Sequence, residues 1–239
     1  MTRKTFILLL VTGLLWNACN KDTDEIPGSG TFTDNRNDKV YEWIRIGDQV
    51  WMAENLAYLP VVSPPTEGST TEPHYYVYGY NGSNVEEARA TENYTTYGVL
   101  YNWPAAIDDE SASNENPSGV QGVCPSNWHL PSETEWIELL DYLGGDTIAG
   151  GKLKEAGYDH WNGPNTAADN SSGFTALPGG YRYEGGEFGA LKSFGSWWTT
   201  TENFEMIKRL SLDDDQKKAG ISSYFKDGGF SVRCIKDEW

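Results

Sequence analysis

The stretch Gly122 to Leu143, GVCPSNWHLPSETEWIELLDYL, constrains this chain more than any other. It joins a cysteine, a Cys-Pro turn, two tryptophans and the clearest helix signal in the sequence. Ser132 is a good N-cap, because a hydroxyl at that position accepts from a backbone N–H that the first helical turn leaves orphaned. Glu135, three residues on, completes a capping box. Trp136, Leu139, Leu140 and Leu143 then fall at i, i+3, i+4 and i+7, which is one apolar face that other elements must cover. Gly144 supplies the C-terminal stop.

The amino terminus reads as an export signal. Residues 1–18 have a basic start, an apolar run from Phe6 to Trp16 and a small residue, Ala18, before Cys19. The apolar part is too short for a stable transmembrane helix. The placement of Cys19 resembles a bacterial lipoprotein cleavage site, with Trp16 standing where that pattern usually has Leu, and implies that Cys19 becomes a lipidated first residue. Residues 19–38 are polar and carry Gly28-Ser29-Gly30, the composition of a flexible tether. The acidic run from Asn20 to Glu25 resembles the stretch that sends lipoproteins of some Bacteroidota to the outer face of the outer membrane. An exported chain is expected to oxidise Cys124 with Cys234, leaving only Cys19 unpaired. That bond closes a loop of 110 residues, which stabilises by roughly 4–5 kcal/mol on the chain-entropy account. The alternative use of the pair, a thiol or copper centre, requires thiolates that an oxidised pair does not supply.

The folded domain is expected over 39–237. Hydrophobic residues make up only 38% of the chain, but 10 Trp and 14 Tyr can fill a core because each buries a large area. A formal charge of -17 repels phosphate backbones and excludes nucleic acid as a partner. Val40, Trp43, Ile44, Ile46, Val50 and Trp51 read as two strands turning at Gly47-Asp48. Pro60 to Asn93 reads as a long irregular loop, the kind that is functional or partly disordered. Tyr97 to Ile107 reads as a helix flawed by Pro104. Strand candidates follow at 174–177, 181–183, 196–200, 208–212 and 230–235, giving an α+β domain.

Several of these segments resemble one family. They are IGDQVWMAENL at 46–56, YGVLYNW at 97–103, Cys124-Pro125 with WHLP at 128–131, SGF at 172–174 with LPGGYR at 177–182, WWTTTE at 197–202 and FSVRC at 230–234. In this order they resemble the Fibrobacter succinogenes major paralogous domain, found in lipoproteins of Bacteroidota and Fibrobacterota. The resemblance implies a relative of the C-type-lectin-like and formylglycine-generating-enzyme folds. Such a fold is a twisted antiparallel sheet flanked by two helices, with long irregular loops and neighbouring terminal strands.

The residues point to binding chemistry more than to catalysis. His74, His129 and His160 lack metal-ligand spacing, and His129 reads as a structural hydrogen-bonding residue in its turn. Neither a Ser/His/Asp set, a paired-carboxylate spacing nor a phosphate loop is present. No cofactor is expected, although calcium needs six or more oxygens and has two candidate sources. One is the WNGPN loop with Asn162 and Asn165, which resembles a lectin calcium loop with Gly163 in place of the acidic residue. The other is the run Asp213, Asp214, Asp215. Sugar faces stack on aromatic rings, and Trp161, Tyr183 and Phe188, together with Tyr75, Tyr76, Tyr78 and Tyr80, are the candidates for that contact. These features suggest a non-enzymatic, surface-anchored outer-membrane lipoprotein that binds a glycan or protein ligand. The alternatives are a degenerate enzyme on a formylglycine-generating-type scaffold and a structural envelope or fimbrial component.

Overall fold

A computed structural model describes residues 28–237. The signal sequence, Cys19 and the acidic run after it lie outside the described residues. Along the chain run β1 (Ser29–Asp34), β2 (Lys39–Ile46), β3 (Gln49–Met52), β4 (Tyr75–Tyr76), α1 (Val85–Arg89) and α2 (Glu92–Tyr97). Next come β5 (Leu100–Tyr101), α3 (Trp103–Ile107), β6 (Trp128–His129), α4 (Glu133–Tyr142) and α5 (Asp146–Leu153). The chain closes with β7 (Tyr181–Arg182), β8 (Phe188–Gly189), β9 (Phe194–Asn203), β10 (Met206–Asp213), β11 (Ala219–Phe225) and β12 (Ile235–Lys236). The class is mixed α and β, with antiparallel pairing throughout the named sheets. Five short helices are described, where two were expected, and none is long and apolar enough to cross a membrane.

The central sheet has the order β1-β2-β3-β12-β6, so the last strand lies beside the first hairpin. Because strand side chains alternate between faces, Tyr41, Trp43, Val50 and Met52 enter one core and Ile46, Trp51 and Ile235 enter another. Both faces are therefore covered. The first core holds the Cys124–Cys234 disulfide, with Cα atoms 6.0 Å apart. The second holds the apolar face of α4 and a cluster of Trp51, Trp136, Phe174 and Trp197. Ser132 and Glu135 form the expected capping box.

Four expectations are corrected. Ser29–Asp34, read as tether, is strand β1, because Phe32 stacks on Trp128 and Tyr41 and buried Asp34 is held by Arg36 at 2.7 Å. The helix expected over 97–107 is broken at Gly98, whose φ of 75° favours glycine and where a Cβ would lie 2.7 Å from the Leu56 carbonyl. Pro104 then stands in the first turn of α3, where no N–H is missed. The segment 174–177 is irregular rather than strand, and α5 and β11 carry no signal strong enough to anticipate.

The fourth correction is the long loop, which is tied down. Buried Arg182 donates to the carbonyls of Pro65, Glu67 and Asp227, and the Tyr76 hydroxyl donates to Glu67. Asn102 Nδ2 donates to the Ser69 and Glu72 carbonyls, while its Oδ1 caps α3 at Ala105 N–H.

Arg233 is fully buried and has no ion-pair partner among the described residues. Its Nε donates to Asn55 Oδ1 at 3.0 Å, Nη2 to the Thr175 carbonyl at 2.7 Å and Nη1 to the Phe174 carbonyl. Asn55 Oδ1 also accepts from Trp197 Nε1, and Asn55 Nδ2 donates to the Tyr97 carbonyl. Desolvation lowers the guanidinium's pKa, and the acceptors around it keep the charge tolerable. Removing the donors strands buried carbonyls, so Arg233→Met is expected to destabilise the protein by about 3 kcal/mol or more. Urea unfolding of the two proteins measures this, and an unchanged midpoint would refute it.

Candidate functional site

The structure separates the sequence candidates into buried and available groups. Trp161 is 1% exposed, its Nε1 donates to the Ala176 carbonyl and Lys154 Nζ lies 5.4 Å from its ring centroid. Its face is thus occupied from within. Tyr75 and Tyr76 are buried as strand β4, paired to Tyr101 and Leu100. Asn165 is buried and closes its own loop through bonds to the Glu155 and Gly157 carbonyls. Trp161, Tyr75, Tyr76 and Asn165 therefore do not meet a ligand at the surface. Asn162 is exposed and donates to Ser193 Oγ.

The two calcium candidates do come together, since Thr166 N–H donates to the Asp214 carbonyl at 2.7 Å. The cation between them is internal. Lys154, 0% exposed, donates from Nζ to the Asp213 and Gln216 carbonyls at 2.9 and 2.8 Å. Burial lowers the Lys154 pKa to about 8, against the pull of Asp214, Asp213 and Asp215. Among the described residues, no three His, Cys, Asp or Glu side chains form a group able to hold a metal ion.

Tyr183 and Tyr78 belong to the available group, and both lie at the β7–β8 hairpin. Tyr78 packs on Phe188 with ring centroids 5.0 Å apart. Tyr181 opens β7 and Tyr183 follows its end, with ring centroids 4.5 Å apart and a 2.5 Å bond between their hydroxyls. Tyr181 also meets Phe194, Tyr224 and Phe230, which links the hairpin to the sheet β11-β10-β9. Desolvation, followed by the Tyr183 hydroxyl, pushes the Tyr181 pKa up to about 12. The Tyr224 hydroxyl donates to Glu184 at 2.7 Å, which lowers the Glu184 carboxyl and, after desolvation, raises Tyr224. Arg209 of β10 lies within 5.3 Å of the Phe194, Tyr224 and Phe230 ring centroids. The result is a tyrosine face, 40% exposed at Tyr183, with hydroxyls, one carboxylate and one guanidinium around it. Tyr183 was legible as exposed among glycines; Arg209, Tyr224 and Glu184 were not, because strand pairing alone brings them there.

A second feature is a groove of about 430 Å³ at the central sheet, lined by Val50 and Ile235 together with the polar residues Asp48, Asn116 and Glu138. Its wall contains His129, 4% exposed, with Nε2 2.7 Å from Glu135 Oε1 and Nδ1 2.7 Å from Asp237 Oδ1. A neutral imidazole has one donor, so bonding to two carboxylates requires the imidazolium. Desolvation alone lowers the His129 pKa, but the bonds and charges of Glu135 and then Asp237 outweigh it and the net shift is upward. Glu135 Oε2 meanwhile accepts from Ser132 N–H, so one carboxylate both caps α4 and holds the histidine. With both nitrogens committed, the ring has no lone pair to serve as a base. This is the structural role expected of His129.

Residues 44–236 match the family described as the Fibrobacter succinogenes major domain. The chain belongs to that family. No curated protein and no solved structure matches it. Five of the segments that carry the family resemblance meet at one place. Asn55 of MAENL, Tyr97 of YGVLYNW, Phe174 of SGF, Trp197 of WWTTTE and Arg233 of FSVRC are the partners in the buried hydrogen-bond network. The family pattern thus spells out the scaffold, and the tyrosine face lies largely outside it.

His129 gives a pH signature. Its folded pKa is raised, so its contribution is fully present below about 6.5, the unfolded value, and is lost as pH rises through the folded pKa. His129→Gln is expected to cost about 1–3 kcal/mol at pH 6 and progressively less on the alkaline side. Denaturant midpoints of both proteins across pH measure the gap, and a gap that widens with pH would contradict the assignment.

Proposed function

We propose that this protein is a non-enzymatic glycan-binding lipoprotein, anchored through Cys19 in the outer membrane and displayed at the cell surface. Its domain uses a C-type-lectin-like arrangement, supported by the adjacency of β12 to β3 within a twisted antiparallel framework. The observation that carries the reading is the tyrosine face. Tyr183 is exposed above Tyr181, beside hydroxyl and carboxylate groups that match sugar hydroxyls, and the ring faces offer the flat apolar surface that sugar C–H groups stack on. A protein ligand could use the same face, since Tyr is favoured at interface centres.

Two further observations favour binding over chemistry. Cys124 and Cys234 are joined and fully buried, so neither sulfur is a nucleophile or copper ligand in this state. Lys154 occupies the acidic turn, so the binding proposed is independent of calcium.

The test is a glycan array probed with the full-length chain in detergent, once with calcium and once with chelator. Binding in both conditions, lost in a folded Tyr183→Ala variant, is the expected result. Binding abolished by chelator, or unaffected by Tyr183→Ala, would overturn the reading.

A further inference from the structure

Arg233, Arg182 and Lys154 are all buried cations without a carboxylate partner, and backbone carbonyls satisfy each of them. Arg209 is different. Its guanidinium carbon lies 4.8 Å from the Phe230 ring centroid and 5.3 Å from those of Phe194 and Tyr224, yet the side chain remains partly exposed. Its one hydrogen bond among the described residues runs from Nη1 to Ser196 Oγ, at 2.9 Å. Nε is enclosed with no partner, and Nη2 makes no hydrogen bond there either. In a chain with 35 Asp and Glu, none of the described carboxylates forms an ion pair with it.

Of the two unused nitrogens, Nη2 is the informative one. Nε is closed off by the surrounding side chains, so the Nη2 N–H groups are the donors that a ligand carboxylate can reach, through a charge-assisted hydrogen bond. Across the ladder from Arg209 stand Ser222 of β11, small and exposed, and buried Trp198 of β9, so the open side of that rung is the β11 side. Desolvation lowers the Arg209 pKa, and a partner carboxylate would reverse that shift. Glu184 is committed to the Tyr224 hydroxyl, and Asp213 lies at the far end of β10. Because the surface as a whole is acidic, long-range attraction does not bring an anion here, and selection has to come from direct contact.

We propose that Arg209 makes the tyrosine face specific for acidic sugars. The sugar ring lies on Tyr183, and its ring-borne carboxylate accepts from Arg209 Nη2. This rests on the tyrosine face as the glycan site and names the class of glycan it takes. Uronic and sialic acids share the required chemistry.

The test uses the full-length chain in detergent and calorimetric titration with matched oligosaccharides. One ends in glucose, one in glucuronic acid and one in sialic acid. The expected preference for at least one acidic ligand over the neutral one is about ten- to a hundredfold, the range of a charge-assisted hydrogen bond. Arg209→Gln should remove that preference. Arg209→Lys keeps a charge over the rings but loses the Nη2 donors, and should remove most of it while melting within a few degrees of the parent. No preference in the parent, or a preference that survives both substitutions, overturns the proposal. Equal binding of acidic and neutral sugars that depends on Tyr183 would leave the stacking reading standing and sink this one. Acid-selective binding that needs Arg209 but not Tyr183 would do the reverse, upholding the Arg209 contact. Binding of none of the three overturns both.

Discussion

The structure depends on a positive charge placed where water cannot reach it. A buried guanidinium is costly unless its donors are satisfied, and Arg233 meets that condition by drawing acceptors from distant parts of the chain. Asn55, Phe174 and Thr175 supply them, and Trp197 is held to the same Asn55 oxygen. Each acceptor can be provided only if the segment after β3, the 174–175 segment, β9 and the residues just before β12 are brought together. The disulfide makes a second tie nearby, fixing Cys234, the next residue along, to Cys124 before α4. The network specifies one arrangement because alternatives strand buried polar groups.

The same device recurs away from that centre. Arg182 collects carbonyls from the 60–93 segment and from Asp227, and Lys154 collects them from the turn after β10. Carbonyls come from irregular backbone, which a sheet ladder does not already use. This explains how a chain with so much non-repetitive structure keeps two dense cores. Arg209, with an enclosed Nε and an unused Nη2, stands apart from these three.

The sequence made local features legible and concealed those that depend on distant contacts. The capped helix α4, the hairpin turning at Gly47-Asp48 and the cysteine pair each carry their signal within a few residues, and each is present. Trp161 was misplaced because neighbouring glycines suggest exposure, whereas Lys154 and Ala176, which enclose it, come from other segments. Tyr75 and Tyr76 looked like loop aromatics because strand β4 exists only through its pairing with β5. The tyrosine face was half legible. Tyr183 and Tyr78 could be picked out as aromatics in polar surroundings, but Arg209 and Tyr224 read as ordinary alternating strand residues until β10 and β11 are laid side by side.

Arg182 and Arg233 hold the scaffold, and Arg209 is the arginine assigned to a ligand. Nitrogen-15 NMR of the arginine Nε–H groups, recorded while glucuronic-acid-terminated oligosaccharide is titrated into the full-length chain, tests that division directly. The Arg209 signal should shift with ligand while those of Arg182 and Arg233 stay in place. A still Arg209 signal at saturation, or shifts of equal size at all three, would contradict the account.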